Sequence, residues 1–281
     1  MCEQNIPLAG WQARLALQFE RRDEASILVR REHFGPLRVQ KPFYPEGKAV
    51  CHTLLLHPPA GIVGGDELTI AATVGDSAHA LLTTPGAGKW YRSAAPWASQ
   101  RLNFKVGSSA ILEWLPQESI IFDGALVNMQ TYVELAQTAS FIGWEVLCLG
   151  RRASGERFNS GALAMVNRIT RNGRLIWLER GQLEGGSALL NSPAGLAGYS
   201  VSATMLAVGM NLTPALLAAC RALVPVEQGV LHGLTLLPDL WVARYLGHSS
   251  EAAHTWFVAL WQLLRPAMLG RVAHSPRIWS T

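Results

Sequence analysis

The segment from Cys51 to Arg92 constrains the fold more than any other part of the sequence. Its short apolar runs are separated by the turn-forming sequences HPPAG, GGD and TPGAGK. Apolar runs of this length, bounded by Gly and Pro, predict β-strands joined by tight turns. Gly61, Gly64 and Gly65 indicate backbone at positive φ or in close approach to another part of the chain.

The same pattern of short strands continues along most of the chain. Apolar and polar side chains alternate in residues 11–20, 68–74 and 101–106, as expected of strands with one buried face. The run FIGWEVLCLG at 141–150 is apolar almost throughout, which predicts a strand buried on both faces. Asn172-Gly173 lies between two further strand candidates and has the preferred sequence of a type I′ hairpin turn.

The pattern changes after about residue 212. Thr213-Pro214 is typical of a helix N-terminus, so a short helix is predicted over 214–223. A second helix is predicted to begin at Ser249 or Ser250 and to end before Pro266, with apolar residues on one face.

The order of these elements predicts a mainly β protein. We expect a many-stranded β body, β-helix-like or built of stacked sheets, followed by a small C-terminal part of about two helices. No repeat or linker divides the chain. One domain is therefore expected over 1–281, mainly β in 1–211 and helix-containing in 212–281.

The composition indicates a chain that shares apolar surface with other proteins. Charged residues make up only 16% of the sequence, against about 25% in typical globular proteins. Ten Trp are present, and Trp is enriched at protein interfaces. The net charge is +4, but no run of Lys and Arg is longer than two, so nucleic-acid binding is not expected.

Cysteine usage and hydropathy favour the cytoplasm. Cys2, Cys51, Cys148 and Cys220 form no C-x-x-C pair and do not resemble a disulfide framework. The N-terminal sequence MCEQNIPLAGWQ lacks the basic and apolar regions of a signal peptide. No run approaches the roughly 18 apolar residues of a membrane-spanning helix. We expect a reduced, cytoplasmic protein with no membrane partner.

The usual signatures of catalysis and nucleotide binding are missing. TPGAGK resembles a phosphate-binding loop, but Gly88-Lys89 is preceded five positions back by Thr83 instead of Gly and is followed by Trp90. The sequence contains neither G-x-S-x-G nor H-E-x-x-H. No motif of the sequence therefore indicates catalytic residues, and a bound nucleotide is not expected.

A fixed metal site is not expected near Cys51 either. Neighbouring residues of a strand point to opposite faces, which separates Cys51 from His52. Cys51 and His57 share a face but lie about 20 Å apart in an extended strand. A transient contact between one histidine and a passing ion remains open.

Several carboxylates lie in apolar surroundings. Glu113, Glu118 and Asp123 fall within EWLPQESIIFDG, and Glu145 lies in the apolar run at 141–150. Buried carboxylates are costly unless they are paired or hydrogen-bonded. They belong either to structural ion pairs, for which Lys89, Arg92 and Arg151 are candidate partners, or to a polar, water-containing path through the protein.

Several long blocks are similar to the urease accessory protein family UreD, called UreH in some bacteria. The blocks occur in order and span nearly the whole chain. They are GPLRVQKPFYPEG (35–47), CHTLLLHPPAGIVGGD (51–66), LLTTPGAGKWYRS (81–93), LEWLPQESIIFDGA (112–125), IGWEVLCLGR (142–151) and PRIW (276–279).

The resemblance implies a non-catalytic factor in urease maturation. Its implied partners are the urease apoprotein, the accessory protein UreF and, through UreF, the GTPase UreG. The resemblance also implies nickel in transit through an internal channel, without a tightly bound cofactor. Asp66, Glu113, Glu118 and Glu145 are the candidates for a polar channel lining.

Two other hypotheses remain. One is a stand-alone metal-dependent hydrolase that uses His52, His57, His79 and Asp66, because histidine and carboxylate are locally dense there. The other is an interaction module that binds urease and UreF but passes no metal.

Overall fold

The computed structural model describes residues 10–209 and 213–280. These residues form 17 β-strands and two α-helices, with three short 3-10 segments. Cys2, the predicted N-terminal features before residue 10 and the predicted boundary between 211 and 212 lie outside the described residues.

The strands fill most of the chain and the helices come late. In chain order the strands are β1 (Gln12–Arg22), β2 (Ala25–Phe34), β3 (Arg38–Val39), β4 (Cys51–Leu56), β5 (Glu67–Val74), β6 (His79–Thr83), β7 (Gly88–Trp90), β8 (Ala98–Val106), β9 (Ile111–Trp114), β10 (Ser119–Ile121), β11 (Leu126–Leu135), β12 (Ser140–Leu149), β13 (Ala162–Arg171), β14 (Arg174–Glu184), β15 (Val201–Val208), β16 (Leu231–Leu237) and β17 (Leu240–Gly247). The helices are α1 (Pro214–Arg221) and α2 (Ser250–Leu269).

The strands form two stacked sheets, as the alternating pattern predicts. A seven-stranded sheet has the order β14-β13-β11-β8-β5-β1-β2, and a larger sheet has the order β16-β17-β15-β12-β9-β6-β4-β3. The chain passes repeatedly from one sheet to the other, so β1, β5, β8, β11 and β13 run parallel in the first sheet. In the second sheet β4, β6, β9 and β12 are also parallel. The mainly β, solenoid-like prediction is confirmed.

The main hydrophobic core lies between the two sheets. Each central strand of the seven-stranded sheet contributes alternate apolar residues, such as Leu68 and Ile70 from β5 and Leu102 and Phe104 from β8. Because side chains alternate along a strand, the other residues of these strands face away from the core. The two-residue period seen in the sequence is therefore the direct cause of the layered architecture.

Strand β12 is buried on both faces, as its continuous apolar sequence predicts. Phe141, Leu147 and Leu149 pack in the core between the sheets. Ile142, Trp144 and Val146 pack in a second core beneath α2. The second sheet is thus a shared wall between two apolar layers.

The turn predictions are confirmed. Asn172 and Gly173 have φ of 48° and 78°, which matches the type I′ requirement for positive φ at both central positions. Gly65 has a φ of 91°. Gly61 is required because the backbone closely approaches Tyr91: a Cβ at this position would lie 1.9 Å from the Tyr91 ring.

The helix predictions are right at the start and wrong at one end. Thr213 caps α1, and its side chain accepts a hydrogen bond from the Leu216 amide. Ser249 caps α2 in the same way through Ala252. However, α2 continues through Pro266 to Leu269. Met268 is buried in the core beneath α2, and its apolar contacts stabilise this extra turn.

The structure also contains three strands that the sequence pattern does not predict: β7, β16 and β17. Strands β16 and β17 pair as a hairpin around Pro238-Asp239, and β17 continues the larger sheet beside β15. The helix-containing part is therefore joined to the β body by strand pairing. None of the described helices is long and apolar enough to cross a bilayer.

Candidate functional site

A cavity of about 400 Å³ lies between the two sheets. One wall is formed by inward-facing residues of β5, β8, β11 and β13, and the other by β4, β12 and β15. The loops around His57–Ile62 and Thr84–Lys89 border the same cavity. The turn-rich sequences HPPAG and TPGAGK therefore both contribute to this site.

The cavity exists because the inner faces of the strands carry small or polar residues at this point of the core. Positions that carry large apolar residues elsewhere along the inner faces are here occupied by small or polar residues. These are Gln100, Thr131, Gly143, Glu145, Asn167 and Thr204. Small and hydrogen-bonding side chains leave volume unfilled and provide partners for water inside the protein.

Glu145 is the carboxylate inside this cavity. It lies on the inner face of β12, in register with Thr204 of β15. Burial and the nearby charge of Glu179 raise its pKa to about 7, while a hydrogen bond from Asn167 acts in the opposite direction. The cavity therefore holds an acid whose charge changes near neutral pH.

Polar side chains continue from Glu145 toward one side of the β body. Arg244 of β17 donates to Thr204 at 2.9 Å and to Glu179 of β14 at 2.6 Å. The Arg244 side chain is 45% exposed, whereas that of Glu179 is 14% exposed. The interior cavity thus has charged neighbours that reach the protein surface.

Glu118 and His57 lie among the loops that border the cavity. The backbone carbonyl of Glu118 accepts a hydrogen bond from the Gly88 amide at 2.8 Å, which ties its segment to the TPGAGK loop. Burial lowers the pKa of His57, partly offset by the charge of Asp66. A neutral imidazole has a free ring nitrogen that can accept a proton or bind a metal ion.

Asp66 lies outside the cavity lining and holds a turn. Its carboxylate is buried and accepts hydrogen bonds from the Trp11 amide at 2.8 Å and the Val63 amide at 2.9 Å. These bonds connect the start of β1 to the GIVGGD turn. The geometry therefore gives Asp66 a structural position.

Glu113 also lies outside the cavity, on the opposite face of the larger sheet. Its carboxylate is fully buried and accepts hydrogen bonds from Trp261 at 2.6 Å and from Arg265 at 3.0 Å. It also contacts His79 Nε2 at 2.6 Å. Burial alone would raise its pKa, but His79 and Arg265 outweigh burial and lower the pKa to about 2. Glu113 thus joins the β body to α2.

Asp123 belongs to a surface turn. Its carboxylate accepts hydrogen bonds from the amides of Asn159 and Ser160, both at 2.8 Å. Arg92, one of its candidate partners, approaches it to 3.8 Å. Arg151 pairs with Glu156 instead, at 2.6 Å.

The side chains of the alternative hydrolase site have separate partners. His52 contacts Glu46, His79 contacts Glu113, and Asp66 binds backbone amides. Only His57 borders the cavity. Within residues 10–209 and 213–280, no three His, Cys, Asp or Glu side chains are grouped closely enough to hold a metal ion.

Sequence reasoning missed the polar residues around Glu145, among them Asn167, Glu179, Thr204 and Arg244. Asn167 breaks the apolar alternation of β13, which was a visible signal. Nothing in the sequence shows that Glu179 and Arg244, which are 65 positions apart, form an ion pair. That contact requires the two sheets to be stacked.

Comparison with known proteins gives a consistent result. The family model described as UreD urease accessory protein matches residues 12–280. A protein named urease accessory protein UreD from Dechloromonas aromatica is 54% identical over 97% of this chain and 95% of its own length. Proteins of the same name from Azoarcus sp. and Nitrosococcus oceani are 55% and 53% identical, over 97% and 98% of this chain and 95% and 92% of their own lengths.

Proposed function

The chain belongs to the UreD family of urease accessory proteins, and on this premise we propose that it delivers nickel to the urease apoprotein as a non-catalytic scaffold. A role in urease maturation follows from the family itself. In our proposal the protein works in the cytoplasm, binds urease and UreF, and reaches UreG through UreF. Nickel is the cargo and passes through the cavity between the sheets.

The observation that carries this proposal is the position of Glu145 inside the cavity. Carboxylate and imidazole are both ligands for divalent transition metals, and the cavity is bordered by Glu118 and His57 as well as Glu145. Because the pKa of Glu145 is raised to about 7, protons compete with a metal ion for its oxygens. Weak binding of this kind suits an ion that must leave again.

The first test removes the carboxylates that face the cavity. Glu118→Ala and Glu145→Ala are expected to lower urease activation severalfold in cells that supply limiting nickel, while the urease complex still co-purifies. The matched control is Glu24→Ala, since Glu24 is exposed in the turn between β1 and β2, away from the cavity. Normal activation by both cavity variants would refute a carboxylate-lined route.

The second test blocks the cavity without changing its charge. Thr131 lines the cavity, so Thr131→Trp should fill it and reduce nickel incorporation into urease. Gln137→Trp is the control, because Gln137 is exposed in the turn between β11 and β12 and lies on neither face of the seven-stranded sheet. If Thr131→Trp folds, joins the complex and supports full nickel loading, the protein is an interaction module that conducts no metal.

A further inference from the structure

The outer face of the seven-stranded sheet is open over its whole width. Both α-helices pack against the larger sheet, where they cover β12, β15, β16 and β17. Among the described residues, no helix covers the outer face of β1, β5, β8, β11, β13 and β14. Six strands at a spacing of about 4.8 Å give this face a width of roughly 24 Å.

Four arginines project from this face, spread across its width: Arg14, Arg101, Arg168 and Arg180. All four are exposed. The strand register places Arg14, Arg101 and Arg180 in one row, through Thr69, Gln130 and Val166. Arg168 lies in the adjacent row, beside Tyr132 and opposite Leu178. We call these four residues the arginine band.

The arginine band has no carboxylate partner within the part of the chain that the structure describes. Its members take part in none of the ion pairs found there. Glu67 and Glu134 lie in other rows toward the two ends of the strands, and Glu134 already pairs with Lys105 at 3.7 Å. The four arginines therefore carry positive charge that no ion pair among the described residues neutralises.

Apolar surface accompanies this charge. Leu175 and Leu178 of β14 are 47% and 43% exposed, and the register places both on the outer face opposite Thr170 and Arg168. Arg101 lies over the Tyr132 ring, 5.8 Å from its centroid. Exposed Leu beside Tyr and Arg is typical of a protein interface, since Tyr and Arg are the residues enriched there.

From this arrangement we propose that the arginine band and Leu178 form a docking surface for an acidic protein surface on a partner in urease maturation. The inference rests on the proposed function, because it assigns a face of the chain to one of those partners. Charge complementarity specifies the partner: its surface carries carboxylates around an apolar contact. Nucleic acid fits less well, since the exposed leucines would have no counterpart in a phosphate backbone.

The test reverses charge on this face and compares it with the same change elsewhere. Arg101→Glu/Arg168→Glu should weaken the complex with purified urease apoprotein or with UreF by about tenfold or more. Arg152→Glu/Arg271→Glu changes the net charge equally at exposed positions away from the face and should leave both affinities unchanged. Arg101→Lys/Arg168→Lys should retain most of the binding, and higher salt should weaken the wild-type complex.

The outcomes separate this inference from the proposed function. Loss of binding to one protein but not the other supports the inference and identifies the partner. If the wild type binds and activates urease and the Arg→Glu variant does the same, the docking surface is refuted while the function stands. If the wild type binds duplex DNA and the Arg→Glu variant loses only that binding, the inference is also refuted. Failure of the wild type to bind either protein refutes the function itself.

Discussion

Arg265 shows how strongly one residue connects distant parts of this chain. Its guanidinium is fully buried and pairs with Glu113 of β9 and with Glu46 of the loop before β4. It also donates to the carbonyl of Val272. A buried cation requires partners for its donors because desolvation is expensive. Arg265 thereby fixes α2 to two segments that are more than 150 positions away in sequence.

Removing the charge of Glu113 should destabilise the protein. Glu113→Gln leaves Arg265 buried with only Glu46 as its anionic partner, so we expect a loss of about 3–5 kcal/mol in the free energy of unfolding. Urea denaturation measures this loss. The control is Glu134→Gln, an exposed partner of Lys105, with an expected change below about 1 kcal/mol.

The same network gives an acid-dependent signature. The pKa of Glu113 is lowered from 4.5 in its unperturbed state to about 2. Its contribution to stability is therefore complete above pH 4.5 and is lost as the pH falls toward 2. The stability difference between the wild type and Glu113→Gln should shrink over this window. A difference that stays constant as the pH falls would contradict the proposed ion pair.

Glu145 should have the opposite pH dependence. Its pKa is raised from 4.5 to about 7, so the folded protein holds a proton that the unfolded chain releases in this range. Stability then falls as the pH rises from 4.5 to 7. Glu145→Gln should be more stable than the wild type above pH 7, by about 3 kcal/mol. Parallel stability curves for the two proteins across this range would exclude the raised pKa.

At the scale of elements, the C-terminal segment acts as a strap over α2. Trp279, in the 3-10 turn Arg277–Ser280, packs against the rings of Trp144, His254 and Trp261. Its indole N–H donates to Thr83 of β6 at 2.9 Å. The strap therefore joins α2 to the larger sheet at the side opposite the cavity.

Truncating this contact should loosen the strap. Trp279→Ala removes the ring contacts and the hydrogen bond, and we expect a loss of about 2–4 kcal/mol, somewhat below that of a fully buried Trp. Trp279→Phe keeps an aromatic ring and should lose only about 1 kcal/mol from the hydrogen bond. Thermal unfolding measures both changes. Equal losses for Ala and Phe would show that the ring contacts contribute little.

At the scale of the whole molecule, apolar surface is distributed over several faces. Trp11, Phe34 and Trp97 are 56%, 64% and 41% exposed, and Leu175 and Leu178 add to the outer sheet face. Exposed apolar surface of this kind marks sites that other proteins cover. Only 16% of the residues are charged, so few charged side chains offset the exposed apolar surface.

We therefore predict that the isolated protein aggregates and that co-expression with a partner increases its recovery. Size-exclusion chromatography of the protein expressed alone and with UreF or urease apoprotein provides the measurement. Leu178→Asp should also improve recovery of the isolated chain by removing one exposed apolar residue. A concentrated monomer obtained without any partner would contradict this expectation.

Local sequence determined the elements of this protein because their causes are local. Alternation of apolar side chains predicts β1, β5 and β8, and the continuous run at 141–150 predicts a strand buried on both faces. Asn172-Gly173 and Thr213-Pro214 define a turn and a helix start through their own backbone preferences. The family was also evident, because long blocks of the chain are similar to it.

Only the tertiary structure decided which of these elements meet. Asp66, Glu113, Glu118 and Glu145 look alike in sequence, yet two of them border the cavity and two lie elsewhere, because stacking of the sheets assigns each residue to a face. The continuation of α2 beyond Pro266 likewise depends on burial of Met268 and not on local preference. The arginine band arises from the register of parallel strands that lie far apart along the chain. Sequence specifies local geometry, whereas long-range packing sets which charges become neighbours.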